Sequence, residues 1–300
     1  MPTLSKTHLA IIALFFLSLI WGYNWVVMKE VMRYVDPFDF SALRTLFGAI
    51  ALFIVIILRR RSLRIRAFGP TLLLGLLQTA LFTAMIQWAL VQGGAGKTAV
   101  LVYTMPFWLL PLSLFFLKET VTRMQWIAIT VAMGGLLLII EPWRTQPDAF
   151  STFLGLSAAL IWAISAVVAK KMRIGEGVDL LSLTAWQMLL GAIALCILAG
   201  ILPSEPPQLT PYFYGALAYN AILATGLAWL LWLFILGHLP AGLAGLSTLL
   251  VPAVGVLSGW IELGERPSGA EGLGMLCTVT ALGLISYSSY KARTNRRDAK

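Results

Sequence analysis

The chain has 300 residues, of which 59% are hydrophobic and 12% charged, with a formal net charge of +9. A soluble domain carries roughly 25% charged residues, so the composition excludes an ordinary water-soluble fold and leaves little room for a soluble domain. Nor does the positive charge describe a nucleic-acid surface, because the basic residues sit beside apolar segments and not on an aromatic-laced patch.

A helix needs ~20 apolar residues to cross a hydrocarbon core of about 30 Å. The first such stretch, Leu9 to Met28, follows Lys6 and His8, as a secretory signal peptide would. No small-residue cleavage site follows Ile20, and the apolar run continues through Trp21, Trp25 and Met28, so it reads as a span that stays in the mature protein. Apolar runs between turn and charge signals place helices near 9–32, 38–58, 68–92, 95–117 and 123–141, then near 151–172, 179–201, 210–237, 240–261 and 268–290. The fold class is all-α, a polytopic membrane protein with ten transmembrane helices. Cys196 and Cys277 lie inside apolar segments and read as core packing residues, not as a disulfide or a zinc site.

Lysine and arginine flank spans on the cytoplasmic side. One set of alternate loops collects Lys6, Arg59, Arg60, Arg61, Arg64, Arg66, Lys118, Arg123, Lys170, Lys171, Arg173, Lys291, Arg293, Arg296, Arg297 and Lys300; the other has Lys29, Arg33, Lys97, Arg144 and Arg266. Sixteen against five, with Arg44 inside a span, predicts both termini cytoplasmic.

The two halves repeat each other. Ile20 to Lys29 aligns with Ile161 to Lys170, with the tryptophan, two valines and lysine in register. Arg44, Gly48 and Ala49 align with Gln187, Gly191 and Ala192; Ala95 and Gly96 with Ala241 and Gly242; Pro106 with Pro252; Glu119 with Glu265. The last helix of each half opens on a capping box, Thr122 with Gln125 and Ser268 with Glu271. The expected units are residues 1–146 and 147–292, with a basic cytoplasmic tail at 293–300. Five spans per half is odd, so the second half enters the membrane from the opposite face. Inverted repeats about an axis in the membrane plane suit alternating access to a central cavity.

The stretch from Trp21 to Trp25, the segment from Pro106 to Glu119, its echo from Pro252 to Glu265, and the five-plus-five arrangement resemble the drug/metabolite transporter superfamily. More narrowly, they are similar to its ten-helix EamA-type exporters, including the YddG-type exporters of aromatic and other amino acids. The resemblance covers nearly the whole chain. It implies a bacterial inner-membrane exporter of small metabolites, with a central cavity built mainly from the first four helices of each half. It says less about substrate, since the superfamily also exports drugs and other metabolites, and related branches carry nucleotide sugars and triose phosphates.

Polar groups inside a span are costly in lipid and face the bundle interior or a cavity. This selects Asn24, three residues after Trp21, and Ser165, three residues after Trp162, as substrate-contact candidates. The tryptophans themselves read either as cavity lining or as interfacial belt anchors. Trp186 and Gln187 lie mid-helix in the seventh span; Gln78, Thr79, Phe82 and Thr83 lie on the third, with Thr79 matching Thr225 and Thr83 matching Trp229. Tyr103 and Trp108 flank Pro106, whose ring removes a backbone hydrogen bond and is expected to kink the fourth helix toward the cavity. Ser247 and Thr248 precede Pro252 in the same way, and they also suit plain back-bonding to their own helix. Arg44 either snorkels to the interface near Asp36 or Asp39 or attracts a substrate carboxylate. Glu119 and Glu265 read as structural residues at helix ends, by capping or by pairing with Arg123 or Arg266, and Pro106 and Pro252 as structural residues within their helices.

No carboxylate falls in the middle of a span, so an obligatory proton or sodium relay lacks its usual ligand, and facilitated export is the expectation. Rings, amides and little fixed charge suit amino acids, aromatic ones included; nucleosides, polyamines or other metabolites are the alternative cargo. An intramembrane enzyme lacks its chemistry: His8 and His238 both lie near span ends and no metal-binding helix motif occurs, so no cofactor or metal is expected. A channel is the other alternative: no filter motif or ring of charges supports it, and inverted repeats are the feature that favours a transporter over it. Ala128, Ala132 and Gly135, and Gly272, Gly274 and Gly283, suit close helix contact, within one chain or between two in a homodimer.

Overall fold

A computed structural model describes residues 6–65, 67–93, 101–120, 122–140, 143, 149–176, 179–263, 268–270, 272–277, 279–281 and 283–284. Among these the regular structure is helical, in chain order α1 (Lys6–Val31), α2 (Pro37–Leu58), α3 (68–93), α4 (Met105–Leu117), α5 (Arg123–Ile140), α6 (Ala149–Glu176), α7 (Leu180–Ile201), α8 (211–238), α9 (241–263) and α10 (Gly272–Ala281). Seven are long and apolar enough to cross a membrane, and α4, α5 and α10 supply shorter apolar helices, which matches the ten expected spans. The outward faces are apolar. Phe115 is 82% exposed and Ile261 81%, surface that water would penalise and lipid tails accept. Cys196 corrects an expectation: it is exposed on this outer face of α7 and not packed in the core.

Local chemistry sets the helix starts. Asp36 caps α2 by accepting from the Phe38 amide at 2.9 Å, and Asp179 caps α7 by accepting from the Leu181 amide at 3.4 Å. Thr210 caps α8 through the Phe213 amide, with Pro211 in the first turn, where its missing N–H costs nothing.

Packing follows the repeat. Helix α1 packs against α9 as α6 packs against α4, and α8 lies along α1 as α3 lies along α6. Across the centre α2 and α7 meet, each also crossing the middle of the other half's third helix. Glycines allow those crossings. A Cβ added to Gly48 would lie 2.8 Å from the Ala221 carbonyl oxygen, and one added to Gly191 would lie 2.4 Å from the Thr79 Cβ.

Two features were not anticipated from sequence. Residues Gly75–Leu81 of α3 and Tyr219–Leu227 of α8 are π-helical, at equivalent places in the two halves. A π turn widens the helix locally and loosens its hydrogen-bond ladder; here it lies where backbones meet across the centre. The second feature is a break: turns at 103–104 and 248–249 precede Pro106 and Pro252. The expected kink at Pro106 is therefore displaced, because this proline occupies the first turn of the segment that follows the break.

Ala128 and Ala132 of α5 are buried within the chain. Lys97, Arg144, Glu265, Arg266, Glu271 and the basic tail, together with the Gln125 side chain, lie outside the described residues, and with them both capping boxes and part of the charge pattern.

Gly191→Val should overpack the α3–α7 crossing, at a cost of about 1–3 kcal/mol. Gly215→Ala, where an added Cβ meets nothing within 4 Å, should be neutral. Thermal unfolding of the purified protein in detergent checks both.

Candidate functional site: a tryptophan-lined central cavity

Helix α1 carries Trp21, Asn24, Trp25 and Met28, spaced so that they share one face. That face, Arg44 of α2, Phe82, Thr83, Ile86 and Gln87 of α3, and Val102 and Tyr103 at the break before α4 enclose a cavity of about 90 Å³. Trp162 of α6 and Ala224 and Trp229 of α8 complete it from the other half. The volume is far below the ~300–1,000 Å³ of small-molecule pockets, so in this conformation the rings are closed upon one another.

The rings are held by geometry. Trp21 stands edge to face against Trp229 at 5.1 Å between centroids and against Trp162 at 5.5 Å; Phe82 lies 5.2 Å from Trp162. Such pairs contribute about 0.5–1.5 kcal/mol each beyond area burial. The Trp21 indole N–H donates to the Ala224 carbonyl at 3.0 Å, inside the π segment of α8, and the Trp25 indole donates to the Tyr103 hydroxyl at 3.1 Å. Both indoles thus tie one element of the site to another, and Trp21 bridges the two repeats.

Arg44 does not snorkel to Asp36 or Asp39. Its guanidinium donates to the Asn220 side-chain oxygen at 3.2 Å and lies 3.9 Å from the Met28 sulfur, while Asp36 is engaged as a helix cap. Asn220 in turn donates to the Ala216 carbonyl. A fixed cation therefore sits in the cavity wall with neutral neighbours, and its Nε has no partner among the described residues.

Below the rings lies a second layer. Thr79 donates to Gln187 at 3.1 Å, and the Ser165 hydroxyl lies 3.3 Å from the Gln78 side-chain oxygen while donating to the Trp162 carbonyl at 2.7 Å. Gln78, Thr79, Ser165 and Gln187 are buried and join the two halves; they do not line the cavity.

Trp108 and Trp186, expected in the cavity, lie elsewhere. Trp108 is 39% exposed on the outside of α4. Trp186 donates to the Leu63 carbonyl and packs on Phe53, beside a separate cavity of about 420 Å³ with Arg61, Arg64 and Asp179 on its rim. Helical phase is the reason: adjacent residues point about 100° apart, so with Gln187 turned inward its neighbour Trp186 cannot be. Conversely, sequence reasoning passed over Trp25, Met28, Ile86, Gln87 and Val102 as cavity residues. Gln87 was findable, since it is an amide in an apolar span one helical turn beyond Thr83.

Some 12 Å along α6 from Trp162, at 1.5 Å per residue, Lys170 closes the opposite end. It donates to the carbonyls of Leu236, at 2.6 Å, and Leu239, and lies 3.8 Å from Glu119. The Glu119 carboxylate accepts from the Ala241 amide at 2.8 Å and the Gly242 amide at 3.3 Å, so it caps the start of α9 and not a helix of its own half. The ends of α4, α6 and α8 and the start of α9 are thereby clamped together.

The model of the EamA-like transporter family matches the chain twice, over residues 8–141 and 149–287. The chain belongs to this family. The transporter is 30% identical over 267 residues to the transporter YoaV of Bacillus subtilis, spanning 87% of this chain and 90% of the relative. It is 27% identical to a probable amino-acid metabolite efflux pump of Salmonella typhimurium, over 92% of this chain and 94% of that protein. It is 26% identical to the inner membrane transporter YedA of Escherichia coli, over 93% and 90%. A crystal structure with 18% sequence identity superposes with a TM-score of 0.80 over 94% of this chain and 98% of that one, which shows the shared fold. The protein is a multi-pass membrane transporter and not an enzyme.

With Cys196 and Cys277 replaced by serine, Asn24→Cys and Arg61→Cys should react with a membrane-impermeant maleimide from opposite faces of the membrane. Labelling of both from one face would contradict the placement of the two cavities at opposite ends of the bundle.

Proposed function

We propose that this transporter exports amino acids, aromatic ones among them, by alternating access through the tryptophan-lined cavity. One observation carries the reading: among the described residues a single arginine, Arg44, stands in a cavity wall otherwise made of aromatic rings, amides, hydroxyls and the apolar side chains of Met28, Ile86, Val102 and Ala224. A guanidinium suits a carboxylate through paired, charge-assisted hydrogen bonds, and stacked indoles suit an apolar or aromatic side chain. Phosphorylated cargo would ask for several such cations. Polyamines would place their charge beside Arg44 with no carboxylate among the described cavity residues to receive it. The Salmonella relative's name points in the same direction.

The inverted halves and the clamp at Lys170 and Glu119 support the transport cycle. The cavity lies toward the end where α1 finishes and α2 begins, and the clamp toward the end bearing Arg59 to Arg64. By the positive-inside rule the clamped end is cytoplasmic, both termini are cytoplasmic, and this conformation is sealed toward the cytoplasm. A bacterial inner membrane is the proposed location. Among the described residues no acidic side chain lines the cavity, which supports facilitated export down the substrate gradient.

Counterflow into proteoliposomes, with labelled amino acids, nucleosides and polyamines, tests the cargo. Amino-acid uptake is expected, reduced about tenfold or more by Arg44→Leu, unchanged by Trp108→Phe, and persistent when the proton gradient is collapsed. Uptake restricted to nucleosides or polyamines would overturn the substrate class.

Lys170 and Glu119 form a partly buried ion pair, and removing one partner leaves the other charge uncompensated in the state that contains it. Lys170→Met should therefore shift the population away from the conformation described, and maleimide labelling of Asn24→Cys should slow severalfold. An unchanged labelling rate would show that the clamp does not hold the cycle in this state.

A further inference from the structure

Four buried polar atoms on residues lining the central cavity have no hydrogen-bond partner among the described residues: Oδ1 of Asn24, Oε1 of Gln87, Nε of Arg44 and Nε1 of Trp162. Two are acceptors and two are donors. Buried acceptors without partners are uncommon in folded proteins and ask for a reason. Here the surroundings hold them in place. Gln87 is fully buried, and its amide nitrogen donates to the Ser41 hydroxyl at 2.7 Å, which leaves its oxygen as the uncommitted atom. Asn24 rides on the same helix face as Trp21, whose indole is tied to Ala224.

The repeat supplies an independent observation. The offset that pairs Thr83 with Trp229 pairs Gln87 with Leu233, a buried core residue, and Arg44 pairs with Gln187. The polar group at position 87 is therefore not part of the duplicated scaffold. It belongs to one half, the half that also carries the arginine.

We propose that Asn24 and Gln87 form a seat for the ammonium group of a zwitterionic substrate whose carboxylate is taken by Arg44. This rests on the amino-acid reading and deepens it. An ammonium presents three N–H donors and no acceptor, and two amide oxygens can receive two of them. Neutral acceptors suit the place better than a carboxylate would, because an aspartate or glutamate beside Arg44 would pair with it and remove the cation that the substrate carboxylate needs. The cavity then reads both charges of the amino acid, while Trp21, Trp162, Trp229 and Phe82 receive its side chain. A compound lacking the ammonium leaves both acceptors unpaired; one lacking the carboxylate sets a cation beside Arg44. Sites built to hydrogen-bond a group reject analogues without it strongly.

The test is competition against labelled tryptophan in proteoliposome counterflow, with indole-3-propionate, which lacks the ammonium, and tryptamine, which lacks the carboxylate. Unlabelled tryptophan is expected to compete at least about tenfold better than either analogue. In the Asn24→Leu, Gln87→Met double variant, tryptophan should lose its advantage over indole-3-propionate while tryptamine stays excluded. If the unaltered protein takes tryptophan and indole-3-propionate equally, the ammonium seat is wrong and the amino-acid reading stands. If no amino acid is carried, both fall. The selectivity of the unaltered protein decides the matter even if the double variant does not fold.

Discussion

No water reaches the hydrocarbon core of a bilayer, so each polar group there has to find its partner within the protein. That constraint organises this molecule. It forces the chain into helices, turns apolar side chains such as Phe115 and Ile261 outward, and gathers Gln78, Gln87, Gln187, Asn220 and Arg44 toward the middle of the bundle. Inside, partners are scarce, and their distribution is uneven. The layer of Thr79, Gln187, Ser165 and Gln78 couples the two halves through side-chain oxygens; both it and the cavity wall keep unpaired atoms, but only those of Asn24, Gln87, Arg44 and Trp162 belong to residues that line open space. The first arrangement holds the halves together; the second leaves binding capacity for a solute.

The repeats meet through close backbone approach. Gly48 and Gly191 let α2 and α7 touch the third helix of the opposite half, at the positions where those helices widen into π turns. Trp21 then reaches from the first half to a carbonyl in the π segment of the second. Movement of one half against the other must therefore alter the geometry of the ring cluster, which links any rocking of the halves to the shape of the cavity. Lys170 and Glu119 act at the far end, where a partly buried ion pair and a capped helix start join elements of both halves. Packed contacts of this kind tend to have two discrete arrangements and not a continuum, as the proposed alternating access requires.

Much of this was legible in the residues. Periodicity and apolar length located the spans because lipid imposes one length on all of them. Trp21, Asn24, Phe82, Tyr103, Trp162, Trp229 and Arg44 were picked out as aromatic or polar residues in apolar surroundings, and the fold brings all seven to one cavity. Trp108 and Trp186 satisfied the same rule and lie elsewhere, since the rule ignores which way a helix is turned. Gln87 met the rule and was passed over. Cys196, taken for core, faces outward for the same reason of helical phase.

By itself, the sequence determined what depends on composition and spacing: ten apolar helices, a chain that lives in a membrane, and an internal repeat whose odd span count inverts its halves. Only the tertiary structure decided what depends on rotation and on contacts between residues far apart in the chain. It turned Trp108 outward and Trp162 inward, paired Arg44 with Asn220, set Glu119 on the start of α9, and widened α3 and α8 into π turns. Lipid accepts any apolar face equally, so hydrophobicity cannot fix a membrane helix about its own axis. Packing against neighbouring helices does.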